Sequence, residues 1–108
     1  MTPKGPSSQG DQIVVHVDPD LAPLIPAFLE DRRHDIATIR EALDRGDYET
    51  IQVLGHNMKG NGGGYGFDPI TDIGSALEQA AMENNSEAVR QWVGELSTYL
   101  ARVEVVYD

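Results

Sequence analysis

Apolar residues recur at helical spacing in four successive segments of this chain, and only short runs of turn-forming residues separate the segments. This limits the fold more than any other feature. Phe28, Leu29, Ile36, Ile39 and Leu43 make the first stripe, with charged residues between them. Gly46 is a stop, and Asp47 can cap a second helix carrying Tyr48, Ile51, Leu54 and Met58. Phe67-Asp68-Pro69 reads as turn, cap and first-position proline, followed by Ile70, Ile73, Leu77 and Ala81. Asn84-Asn85-Ser86 reads as a capped turn before Val89, Trp92 or Val93, Leu96, Leu100 and Val103. Short connections make neighbouring helices antiparallel, and four amphipathic helices bury their stripes most simply as an up-down bundle. The expected fold class is therefore all-α: an antiparallel four-helix bundle.

The N-terminal part is organised differently. Residues 1–12, rich in Pro, Gly and Ser, are expected to form a flexible tail, with the bundle domain over 13–108. Ile13 to Val17 is a short apolar run; no later segment offers a partner strand, so it is expected to be an extended lead-in. Asp18-Pro19-Asp20 signals a short N-terminal helix, which Pro23 and Pro26 keep short, and the first long helix is expected to begin near Pro26.

Composition excludes several functions. At 108 residues the chain supports one modest core. It has no cysteine, which rules out disulfides and thiolate metal sites and fits a reducing cytoplasm. No apolar run approaches the roughly 20 residues of a membrane span, and the N-terminus lacks a signal-peptide pattern. A formal net charge of −10 argues against a nucleic-acid partner. Only two lysines exist, Lys4 in the tail and Lys59.

Lys59 lies in the chain's most unusual stretch, Gly55 to Phe67, where glycines interrupt a helical pattern around His56. A helical glycine costs about 1 kcal/mol relative to alanine, so a run of them needs a reason. With about 100° per residue, Leu54, Gly55, Met58 and Gly62 fall near Ile51 on the core face, whereas His56 falls roughly 140° away. Around His56 lie Gln52 at i−4, Lys59 at i+3, Gly60 at i+4 and Gly63 at i+7. A solvent-exposed imidazole is largely neutral near pH 7 and offers one nitrogen lone pair to an electrophile. Lys59 can pair with an anionic group on or approaching the ring, a phosphoryl group above all. Gly60 and Gly63 clear the surface for a partner. The ring's second nitrogen needs an acceptor to fix the tautomer. Glu78, at the edge of the third stripe, is the leading candidate, with Gln79 and Ser75 weaker ones.

These residues resemble the signature of histidine-containing phosphotransfer (HPt) domains: His56-x-x-Lys59-Gly60, then Gly66 ten residues after the histidine, within a four-helix chain. The likeness extends over about residues 13–106. It implies an antiparallel bundle whose exposed His56 accepts a phosphoryl group, with Lys59 neutralising its charge, Gly60 giving clearance and Glu78 orienting the ring. One departure is that Asn61 and three glycines follow, where small polar residues are usual; this loosens the helix end. The implied partners are a response-regulator receiver domain and a hybrid sensor histidine kinase. Mg²⁺ is expected on the receiver and no cofactor or metal on this chain, which is expected to be a cytoplasmic monomer and a covalent carrier without kinase activity.

Other readings fit the residues less well. The glycine run lacks the Lys-Ser/Thr of a nucleotide loop and follows a helical pattern rather than a strand. His16, His34 and His56 lack metal-ligand spacing. His16 and His34 read as ordinary surface residues. A pure receiver-binding module would need neither His56 nor Lys59. A further alternative is the phosphoacceptor domain of a chemotaxis-type kinase, whose ATP-binding region would then lie elsewhere in a longer chain. Leu21 and Ile25 are candidates for exposed apolar partner contacts.

Overall fold

The computed structural model describes residues 12–108, so the tail expected over residues 1–12 lies outside the described residues but for Gln12. Four helices form the body: α1 (Ile25–Asp44), α2 (Tyr48–Asn61), α3 (Asp68–Met82) and α4 (Ser86–Arg102). Each helix contacts its neighbours in a ring, α1 with α2, α2 with α3, α3 with α4 and α4 back to α1. The core is drawn from all four stripes, with Ile39, Ile51, Met58, Ile70, Leu77, Val89 and Leu96 fully buried. Phe67, between α2 and α3, joins them and stacks on Phe28 with ring centroids 5.6 Å apart.

The helix boundaries follow local chemistry. Asp47 caps α2 by accepting from the Thr50 amide at 3.2 Å and the Thr50 hydroxyl at 2.7 Å. These bonds, the hydroxyl first, hold the Asp47 carboxyl below the ordinary aspartate range. Asn85 caps α4 through the Ala88 amide at 3.1 Å. Gly46, just past α1, takes a φ of +70°, the left-handed stop a glycine supplies. Asp18 accepts from the Asp20 amide at 2.9 Å and opens a 3-10 turn over Pro19–Leu21, the expected short N-terminal helix. Two boundaries differ from expectation. Asp68 is the first residue of α3 rather than its cap, and no side chain caps that end. Ile25 is buried (1% exposed), because α1 begins there and turns it into the core; the exposed apolar residue is Leu24, while Leu21 is half-buried.

The main correction concerns Ile13–Val17. It is a strand, β1, and it has a partner. β2 (Val103–Tyr107) pairs with it in parallel, from Ile13 opposite Val103 to Val17 opposite Tyr107. Val103 therefore starts this strand and does not end the last helical stripe. It falls seven residues after Leu96, so the helical spacing persists by coincidence into a valine-rich strand. Val17 is buried, and Ile13, Val15, Val103 and Val105 pack against the core, so the ribbon closes one side of the bundle. His16 on its outer face bonds through Nδ1 to Asp108 at 2.8 Å, and His34 lies 3.5 Å from Glu30; both histidines are surface residues.

Candidate functional site

The Asp47 cap sets where α2 starts, and the burial of Ile51, Gly55 and Met58 against the core sets its rotation. His56 follows Gly55 by one residue and so points away from the core, with a side chain 68% exposed. Lys59, one turn on, is also exposed.

α2 and α3 are the most closely associated pair of helices. Two glycines allow this. A Cβ on Gly55 would sit 2.7 Å from the Glu78 amide nitrogen and 2.8 Å from the Gly74 carbonyl oxygen. A Cβ on Gly74 would sit 2.6 Å from the Lys59 amide nitrogen. These are backbone atoms, so a methyl group has nowhere to go. The contact brings Glu78 beneath the outer face of α2. Its Oε2 lies 3.0 Å from His56 Nδ1, and its Oε1 lies 3.5 Å from Lys59 Nζ. The Glu78 side chain is 18% exposed, so one well-covered carboxylate serves two exposed groups.

The chemistry follows. An ionised carboxylate only accepts hydrogen bonds, so the neutral ring must donate from Nδ1–H to Glu78. Nε2 then carries the lone pair. It is a base and a nucleophile on an open face, with an ammonium group one helical turn away.

The remaining expected positions separate. Gln52 is half-buried on the turn before His56. A Cβ on Gly60 would meet nothing within 4 Å, so the surface beside Lys59 is open. Gly63 does not continue α2, which ends at Asn61. Gly63 begins a 3-10 turn over Gly63–Tyr65, and its amide donates to Thr71 Oγ1 at 2.7 Å. Gly66 closes that turn with a φ of +94°, a conformation glycine adopts freely. At the end of α2 the chain again lies close to α3: a Cβ on Gly62 would sit 2.6 Å from the Thr71 amide nitrogen. Ser75 and Gln79 are exposed and make no bond to His56.

Sequence reasoning missed two features. One is Gly74, which lies between the stripe residues Ile73 and Leu77 with nothing in its spacing to mark the close approach. The other is Val53, an i−3 neighbour of His56, which is 53% exposed and makes that face partly apolar; its spacing from His56 was the available signal. Beyond Gly60, a groove of about 340 Å³ between α1 and the 3-10 turn is lined by Leu24, Ala27, Phe28, Asn61 and Tyr65 among others. Among the described residues no group of three or more histidine, cysteine or acidic side chains is placed to hold a metal, and no helix is long and apolar enough to cross a membrane.

The family model described as "Hpt domain" matches residues 23–105. The chain belongs to the Hpt domain family. No curated protein and no solved structure gave a match. An Hpt domain is a histidine phosphotransfer module of two-component signalling and a helical bundle, as this fold is. Here the Hpt match takes in all four helices, His56, Lys59, Gly60 and Glu78, together with the first residues of β2. It begins after β1 and the first 3-10 turn, and so is shorter than the 13–106 suggested by the sequence motif.

Proposed function

We propose that His56 is the phosphoacceptor of this Hpt domain and that the protein relays a phosphoryl group to or from an aspartate of a receiver domain. The observation that carries this reading is the Glu78 bridge, with one oxygen on His56 Nδ1 and the other near Lys59 Nζ. In the forward step Nε2 attacks the phosphorus of an aspartyl phosphate on the partner. A P–N bond forms, and the P–O bond to the aspartate breaks with its electron pair leaving on the carboxylate. The ring becomes cationic as the bond forms, and Glu78 at Nδ1 stabilises that charge, as the carboxylate does in other histidine-centred sites. Lys59 is within a side chain's reach to offset the charge of the transferred group. In-line transfer requires the partner to approach Nε2 closely, and the bare backbone at Gly60 permits it.

Mg²⁺ would sit on the receiver, and this chain contributes the nucleophile and the cation. The protein is a covalent carrier, phosphorylated by a kinase or hybrid sensor kinase rather than by its own catalysis, and it works in the cytoplasm as a monomer.

Incubation with a phosphorylated receiver domain tests this. The native protein is expected to acquire acid-labile label, and His56→Gln none. Undiminished labelling of His56→Gln would overturn the assignment.

A further inference from the structure

We infer that Gly55 and Gly74 are positioning residues for His56: by letting α2 and α3 touch at backbone level, they hold the Glu78 carboxylate at His56 Nδ1 and so select Nε2 as the reactive nitrogen. The consequence for transfer rests on the proposed role of His56; the consequence for the ring tautomer does not.

The geometry is specific. The atoms nearest a Cβ at Gly55 are the Glu78 amide nitrogen at 2.7 Å, the Gly74 carbonyl oxygen at 2.8 Å and the Glu78 Cα at 3.1 Å. Two of the three belong to Glu78. Gly74 is crowded from the other side by the Lys59 amide nitrogen and Met58 Cβ, both at 2.6 Å, and the Gly55 carbonyl oxygen at 2.7 Å. The glycine contact thus lies between the residues of the site: His56 follows Gly55, Lys59 touches Gly74, and Glu78 touches Gly55. A methyl group at either position drives the helices apart, because backbone cannot rotate out of the way. The His56–Glu78 distance is 3.0 Å, and a bond of that length has little room to stretch before it is lost. Once it is lost, nothing else among the described side chains holds Nδ1.

The chain contains its own control. Gly62 is equally crowded, with a Cβ 2.6 Å from the Thr71 amide nitrogen and 2.9 Å from the Phe67 carbonyl oxygen, but none of its contacts is with Glu78. Gly62→Ala therefore strains the same pair of helices at the turn end without touching the His56 partner.

The test is ¹⁵N NMR of the His56 ring in the native protein, Gly55→Ala, Gly74→Ala and Gly62→Ala, each checked for helical content. The native ring and that of Gly62→Ala are expected to show the Nδ1–H form. Gly55→Ala and Gly74→Ala are expected to shift toward the mixture of an unassisted ring, and to slow phosphotransfer by about 10- to 100-fold. A folded Gly55→Ala or Gly74→Ala that keeps the native Nδ1–H signal would overturn the inference. If neither variant folds, Glu78→Asp decides. It leaves both glycines in place and withdraws the carboxylate by one methylene, so loss of the Nδ1–H preference supports the positioning account and its retention overturns it. A native protein with the Nδ1–H ring that accepts no phosphoryl group would refute the proposed function and leave this inference standing.

Discussion

α2 has two faces that use glycine for opposite reasons. Gly55 lies against α3, where a single added carbon would overlap backbone at 2.7 Å. Gly60, five residues on, lies on the outer face, where an added carbon would meet nothing within 4 Å. The first removes a side chain so that two helices can touch. The second leaves an open surface beside Lys59. Both cost helix propensity, by about 1 kcal/mol each relative to alanine, and only their surroundings tell them apart. Between the two faces lie His56 and Lys59, with the Glu78 carboxylate on the crowded side and open surface on the other.

The largest effect should separate the faces directly. Gly74→Ala is expected to destabilise the bundle by about 1–3 kcal/mol, the range for overpacking a filled interior, as measured by urea unfolding. Next, Lys59→Ala is expected to slow phosphotransfer by about tenfold, or about 1.4 kcal/mol in barrier, with an unchanged circular dichroism spectrum. A loss of helix on that change would show that Lys59 belongs to the crowded face. Gly60→Ala should raise stability by about 0.4–1 kcal/mol, because the site has space and the unfolded chain loses freedom; a net loss of stability would contradict the open face. Gly60→Leu is expected to keep that stability and impair transfer by filling the clearance.

The smallest effect concerns the start of α2, outside both faces. The Thr50 bonds hold the Asp47 carboxyl below its ordinary range, about 3.9, so the ionised form is favoured in the fold. That contribution is complete above the unfolded value and is lost as pH falls through the lower folded value. Between neutral pH and about pH 4 the native protein should therefore hold its cap. Below that range it should lose stability more steeply than Asp47→Asn, as followed by thermal melting across an acid pH series.

The comparison also shows what a sequence reveals. His56, Lys59 and Glu78 were legible because each follows from one helix's periodicity plus one assumption about which helix lies beside it. The outer placement of Gly60 was legible for the same reason. The close approach at Gly74 was not, because it depends on the distance between two helices and leaves no mark in the stripe of either. The ends of the chain were the least legible. β1 and β2 are each five residues long and lie at opposite ends of the sequence, so no turn or spacing connects them. Each alone is too short to be told from a helix end or an extended lead-in. The β2 segment also begins where the helical count of α4 would place one more apolar residue, Val103.

The central claim is that Glu78 holds Nδ1 of His56 and leaves Nε2 to carry the phosphoryl group. Phosphorylating the ¹⁵N-labelled protein with phosphoramidate, a small donor that bypasses any partner, and locating the phosphate by NMR tests it most directly. The account predicts a single product, with phosphorus on Nε2 of His56 and a proton or carboxylate contact retained at Nδ1. Phosphate on Nδ1 of His56, or on His16 or His34 in its place, would contradict it.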